Sequence, residues 1–186
     1  MAGEYNVWNA TAAAAIAANE GIPADDIAAA LRSFQSVKRR LEVRAVVNGV
    51  TIIDDFAHHP TAIETTLAGL RAREPRARII AVVEPRSNTM KLGVHRELLA
   101  PSLAAADAAW LLRAPELGWD LPAALAPLGA RVHFADTVET LVDALAAAAR
   151  PGDQILVMSN GGFGGLHGKL LAALGARQDL RTRGTA

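Results

Sequence analysis

The sequence predicts an α/β fold: a three-layer, doubly wound, mostly parallel six-stranded sheet, with one antiparallel strand contributed by an initial hairpin. Three observations predict it. From about residue 50 to residue 174, β-like and helical segments alternate, the pattern that right-handed crossovers turn into a parallel sheet. Asn48-Gly49 lies between two β-rich runs, the strongest short-range hairpin signal, because a type I′ turn needs positive φ at both central residues. Gln154-Ile-Leu-Val-Met158 is almost continuously apolar, as a strand buried on both faces must be.

The elements follow in order. Residues 6–20 form an alanine-rich helix closed by Gly21, and Pro23 opens a second helix to about Phe34, with Asp25 and Asp26 where the helix dipole favours them. Leu41, Val43, Ala45 and Val47 alternate along the first hairpin strand, and Val50–Ile53 begins the second. Pro60 starts a helix with Ile63, Leu67 and Leu70 on one stripe. Arg78–Glu84 is a strand, His95–Ala104 a helix, Ala108–Leu112 a strand, Asp120–Leu128 a helix and Ala130–Phe134 a strand. Asp136-x-x-Glu139 reads as a capping box before the stripe Val138, Leu141, Val142 and Leu145. After Gln154–Met158, a glycine-rich turn leads to a last helix at about Leu166–Leu174, and residues 175–186 read as a frayed tail.

Composition narrows the function classes. The chain has 186 residues, 51% of them hydrophobic and 20% charged, with a formal net charge of zero. That suits one packed globular domain and implies no general attraction to nucleic acid or to anionic lipid. No apolar run approaches the roughly 20 residues that span a bilayer, and residues 1–5 lack the pattern of a signal peptide. Without cysteine there is no disulfide framework and no thiolate metal site. A cytoplasmic location is the expectation.

In an open parallel sheet, ligands bind beyond the carboxyl ends of the strands, and polar or glycine-rich segments fall there. Asp54-Asp55-Phe56-Ala57-His58-His59-Pro60 puts two carboxylates and two imidazoles at a strand end. They suit Mg²⁺, ribose hydroxyls or a titrating amine, and the alternative is a polar strand end with partly buried histidine. No third ligand at a recognised spacing supports a zinc site. Glu84-Pro85-Arg86-Ser87-Asn88-Thr89-Met90-Lys91 offers a planar guanidinium that suits a carboxylate; taken alone it reads as a solvated loop with a helix cap at Ser87 or Thr89. In Met158-Ser159-Asn160-Gly161-Gly162-Phe163-Gly164-Gly165 the backbone can approach a ligand closely. That run matches neither a P-loop nor a dinucleotide fingerprint. Lys38-Arg39-Arg40, just before the hairpin, is either a solvated basic patch or a phosphate contact. Each of the three lysines, Lys38, Lys91 and Lys169, lies in or beside one of these segments.

Together these segments resemble the Mur ligase family. Gly3-Glu4-Tyr5-Asn6-Val7-Trp8-Asn9 is similar to the end of that family's central ATPase domain, with Tyr5 where histidine is usual. Arg40-Leu41-Glu42 is similar to its arginine-x-glutamate, and Asp55-Phe56-Ala57-His58-His59-Pro60 to its D-[FY]-x-H-x-P element. VKRRLEV, DDFAHHPTAIETTL, EPRSNTMKLGVH and VMSNGGFGG follow in order, so the resemblance covers nearly the whole chain. It implies a Rossmann-like C-terminal domain of an ATP- and Mg²⁺-dependent ligase. In the branch these segments match, the tripeptide L-Ala-γ-D-Glu-meso-diaminopimelate is joined to UDP-N-acetylmuramate through an acyl phosphate, for peptidoglycan recycling.

The resemblance also implies roles. Asn6, Asn9, Arg40 and Asp55 would meet the nucleotide, and His58, His59 and Asp55 would line the reaction centre. Arg86, Ser87, Asn88, Thr89 and Lys91 would face the incoming peptide, with Ser159, Asn160, Gly161, Gly162 and Phe163 opposite. Residues 1–37 would be the terminal helices of the ATPase domain, 38–175 the peptide-binding domain and 176–186 a flexible tail. The family's uridine-nucleotide and P-loop ATPase domains precede this region, so the chain alone is expected to be inactive. The alternatives are a ligase part that adds a single L-alanine and a non-catalytic module binding muropeptides or nucleotides.

Overall fold

The strands of the sheet are β1 (Glu42–Val47), β2 (Val50–Asp55), β3 (Ile79–Val83), β4 (Ala108–Leu112), β5 (Val132–Ala135) and β6 (Gln154–Met158). In this computed structural model, which describes residues 4–35 and 37–183, they form one sheet in the order β1-β2-β6-β3-β4-β5. Only β1 runs antiparallel, paired to β2; every other neighbouring pair is parallel. The expected type of fold is therefore present. The hairpin turn is made as its chemistry requires, with φ of 55° at Asn48 and 75° at Gly49.

The two-residue period of the strands divides the core. Ile53, Ile79, Ala81, Val83, Leu111, Leu156 and Met158 point to one face. There they meet α3 (Pro60–Arg73), α5 (Arg96–Ser102) and α6 (Leu121–Leu125) through Ile63, Leu67, Leu70, Leu99 and Leu125. Ile52, Ile80, Val82, Ile155 and Val157 point the other way, onto α7 (Val138–Ala148) and α8 (Leu166–Arg183). Each fully buried Leu or Ile is worth about 1.5–3 kcal/mol in removed apolar surface, so a sheet covered on both sides needs the near-continuous apolar strands seen here.

Helix placement creates the crevice. After β2 and after β3 the chain leaves toward the layer of α3 and α5, whereas after β6, which lies between them, it leaves toward α8. Such reversals open a cleft at the carboxyl ends of the strands concerned. The register makes these ends flush, since Met158 of β6 pairs with both Asp55 of β2 and Val83 of β3.

Several boundaries differ from expectation. The cap of α7 is Thr137, whose hydroxyl accepts from Thr140 N at 3.1 Å, while Thr137 N reaches Thr140 Oγ1. Asp136 instead forms a bidentate pair with Arg113 at 2.7 and 2.8 Å. The helix expected over Asp120–Leu128 ends at Leu125, and a 3₁₀ turn (Ala126–Arg131) delays β5 to Val132, because Pro127 lacks the N–H that an α-helix would use. α8 does not end at Leu174 but continues to Arg183, since Ala176–Arg183 is rich in helix formers and Gly175 costs only about 1 kcal/mol. Residues 184–186 of the expected tail lie outside the described residues.

Two further helices precede the sheet, α1 (Glu4–Asn19) and α2 (Ala24–Ser33), packed on each other. Val7, Trp8, Ile16 and Phe34 are exposed on or beside them. Among the described residues, neither core includes a side chain from this segment. No helix among the described residues is long and apolar enough to cross a membrane.

Candidate functional site

The flush strand ends are tied to one another. Ser159 N donates to Asp55 O at 3.2 Å, and Glu84 N to Met158 O at 3.1 Å. Ser159 Oγ donates a short hydrogen bond to the Glu84 carboxylate and accepts from Gly161 N at 2.9 Å. Three of the predicted segments thus share one rim.

The basic segment joins them through Arg39. Its Nη2 donates to Ser159 O at 2.5 Å and to Gly161 O at 3.0 Å, and its Nε lies 3.3 Å from Asp54 Oδ1. Its backbone is held as well: Arg39 N donates to Glu42 Oε2 at 2.7 Å, and Arg39 O accepts from Phe56 N at 2.9 Å. Arg39 and Leu41 have φ of 59° and 46°, left-handed values that cost a non-glycine residue on the order of 1–3 kcal/mol each. The turn persists because these bonds over-determine it. Between the two strained residues, Arg40 is exposed, its guanidinium 5.6 Å from the Phe56 ring centroid. It lines a cavity of about 210 Å³ together with His59, Thr61, Ala62, Thr65 and Thr66.

The two histidines are placed differently. His58 Nδ1 lies 2.9 Å from Phe56 O. A carbonyl can only accept, so Nδ1 carries the proton and the neutral ring keeps its lone pair on Nε2. His59 is the N-cap of α3, its Nδ1 accepting from Ala62 N at 3.4 Å. Its neutral ring therefore carries the proton on Nε2. Burial, followed by the charges of His58 and His95, holds the His59 imidazole below the ordinary histidine value. The rings of His58 and His59 meet edge to face at 5.3 Å.

On the far side of the rim, Arg86 is exposed and lies against Gly161: a Cβ added at Gly161 would come within 1.9 Å of Arg86 Nη1. Only glycine allows that approach. Ser87 caps the short helix α4 (Asn88–Lys91), its Oγ accepting from Met90 N at 3.4 Å, and Asn88 and Thr89 are exposed beside it. Lys91 ends α4, half-buried. Trp119 braces the following turn, its Nε1 donating to Met90 O at 2.6 Å while Gly93 lies against the ring. Asn160 is half-buried and Gly162 exposed on the glycine-rich turn.

Other candidates occupy different environments from those expected. Asp55 is 0% exposed; its Oδ2 accepts from Leu41 N at 2.8 Å, and its Oδ1 from Ala57 N at 2.8 Å and Thr66 Oγ1 at 3.3 Å. It braces the Arg40 turn from within. Ser159 is likewise buried, with its hydroxyl engaged inside the protein. Phe163 is no pocket wall: it is 1% exposed and belongs to the core beneath α7 and α8, as a large apolar ring on a turn above two helices should. Asn6 and Asn9 lie on α1, which packs on α2, and the side chain of Tyr5 lies outside the described residues. Lys169 pairs with Glu139 at 2.6 Å rather than serving the rim.

His167 was not anticipated, and Asp54, expected as one of two strand-end carboxylates, faces it. Asp54 is buried between Arg39 and His167, whose Nε2 lies 3.4 Å from Asp54 Oδ1. Burial raises the Asp54 pKa, but the His167 ring and then the Arg39 guanidinium together hold the carboxyl below its ordinary value. Arg39 was legible as a cation beside the hairpin; its reach across two strands was not.

Comparison with known proteins gives a consistent picture. The profile of the family described as "Mur ligase, glutamate ligase domain" matches residues 39–161. The UDP-N-acetylmuramate–L-alanyl-γ-D-glutamyl-meso-2,6-diaminoheptandioate ligase of Escherichia coli (strain K12) is 49% identical over 96% of this chain, which spans 39% of that protein. A UDP-N-acetylmuramate–L-alanine ligase of Roseiflexus castenholzii is 35% identical over 96% of the chain, again across 39% of the relative. The crystal structure of a murein peptide ligase from Psychrobacter arcticus 273-4 superposes with a TM-score of 0.75 at 40% identity, covering 94% of this chain and 38% of that one. The chain thus spans about two fifths of the length of the relatives it matches.

Proposed function

Because the chain belongs to the Mur ligase family and carries its C-terminal, glutamate ligase domain, we propose that it is the substrate-binding part of an ATP-dependent ligase. That ligase joins L-Ala-γ-D-Glu-meso-diaminopimelate to UDP-N-acetylmuramate in the cytoplasm. The observation that carries the tripeptide reading is the step in identity, 49% to the tripeptide ligase against 35% to the L-alanine ligase over the same share of the chain. Residues 1–37 are then the closing helices of the ATPase domain, 38–175 the peptide-binding domain, and Asn6 and Asn9 the adenine-side contacts.

The residues present fit a nucleotide phosphate on one side of the rim. Arg40 is an exposed cation beside Thr61 and the N-terminal turn of α3, a setting that favours an anion. ATP supplies the phosphoryl group that activates the lactyl carboxylate as an acyl phosphate. Mg²⁺ takes one or two carboxylates beside the nucleotide phosphates, but Asp54 and Asp55 at the strand end are both buried and engaged within the protein, so they do not fit the ion and no step runs through it.

The chain's own residues orient the peptide and handle its proton. Arg86, exposed beside Gly161, receives a peptide carboxylate, with Asn88, Thr89, Lys91, Asn160 and Gly162 around it; Ser87 and Ser159 hold the two turns in place. The attacking amine must lose a proton, and His58 Nε2 is the lone pair available to accept it. His59 Nε2–H donates to developing oxyanion charge. Asp55 holds both groups in register without touching the ligand.

The test is ligation by the full-length polypeptide that carries this domain, with ATP, UDP-N-acetylmuramate and either tripeptide or L-alanine. A kcat/KM for tripeptide at least 100-fold above that for L-alanine is expected; the reverse preference would overturn the assignment. The 186-residue chain alone should neither hydrolyse ATP nor ligate.

A further inference from the structure

We propose that Arg39 is a positioning residue that couples the nucleotide side of the rim to the peptide side, so that each ligand tightens the binding of the other. The inference rests on the function proposed above, which assigns Arg40 and Arg86 to the two ligands.

The two assigned cations are joined by consecutive contacts. Arg40 follows Arg39 directly, in a turn whose geometry is fixed by Asp55 and Glu42. The Arg39 guanidinium then grips the carbonyls of Ser159 and Gly161, residues 120 and 122 positions away in sequence. Gly161 in turn lies under the Arg86 guanidinium. The Phe56 ring adds a second link, with the Arg39 and Arg40 guanidiniums 5.3 and 5.6 Å from its centroid. An anion held by Arg40 therefore restrains the turn that Arg39 shares, and through the Arg39 bonds the Ser159–Gly161 segment beside which Arg86 lies.

The residue type suits this role. Three acceptors surround the Arg39 head group in different directions, namely Asp54 Oδ1 and the carbonyls of Ser159 and Gly161. A planar guanidinium serves all three from a rigid fork, whereas an ammonium, a compact point charge, does not hold them in fixed relation. Coupling between sites is reciprocal and commonly spans 5- to 150-fold in affinity.

The test uses the full-length polypeptide. Tripeptide affinity is measured calorimetrically with and without a non-hydrolysable ATP analogue, and analogue affinity with and without tripeptide. The wild type should show a tightening of about 5-fold or more, equal in both directions. Arg39→Lys should reduce it to under about 2-fold, while each ligand alone binds within about 3-fold of wild type. Asp54→Asn leaves both carbonyl contacts in place and should keep the coupling. Full coupling in Arg39→Lys, an equal loss of both affinities regardless of the second ligand, or equal loss of coupling in both variants would each overturn the proposal. A wild type that binds neither ligand would overturn the functional reading instead.

Discussion

His58 and His59 are adjacent in sequence, yet their hydrogen bonds give them opposite proton arrangements. His58→Gln should lower kcat of the full-length ligase by about 10²- to 10⁴-fold, the range for losing a general base, with little change in tripeptide KM. His59→Asn should keep the helix cap, since asparagine is a good N-cap. His59 itself should titrate below 6.5 in an NMR pH series. Because the unfolded chain then binds more protons at this site, its share of stability is full above pH 6.5 and falls as the pH drops toward the folded value; His59→Asn should remove that slope in urea melts. At the other wall, Arg86→Ala should raise the tripeptide KM about 10-fold with kcat held. The sequence named these segments through residue types and strand ends. It did not separate presenting side chains from bracing ones, because Asp55, Ser159 and Phe163 owe their burial to neighbours that only the folded turns bring in.

Among the elements, the loop ahead of β4 shows how a connection is anchored. Asp107 Oδ2 accepts from Ile79 N at 2.7 Å and from Arg71 Nη2 at 2.6 Å, tying the end of α3 to the start of β3. Burial raises the Asp107 pKa, but the Ile79 amide and then Arg71 bring it below the ordinary 3.8. The contribution is thus complete above about pH 4 and is lost as the pH falls through the folded value. Denaturant midpoints measured at pH 5 and pH 3 should diverge less in Asp107→Asn than in the wild type. Strand identities were legible because periodicity is local: Ala108–Leu112 and Gln154–Met158 lie where apolar patterning put them. Ends were less so. Thr137 outcompetes Asp136 as the cap of α7 because Arg113, from the neighbouring strand end, engages Asp136, a partner 23 residues away that no local pattern contains.

At the scale of the whole molecule, α1 and α2 stand outside both cores and expose Val7, Trp8, Ile16, Ile22, Leu31 and Phe34. Removing residues 1–37 should leave the principal denaturant midpoint unchanged and lower the helical circular dichroism only; a fall in the midpoint would show that the pair supports the sheet. The order of the strands carries a different consequence. β6 is the last strand among the described residues, yet it fills the centre of the sheet between β2 and β3. A ribosome that has released residues 1–150 has therefore delivered a split sheet with two raw interior edges. Such edges invite pairing with other chains, and closing them waits on contacts distant in sequence, which form slowly. A premature stop shortly before Gln154 should consequently yield an aggregating product rather than a shortened domain, and nascent chains paused there are where chaperone occupancy should peak.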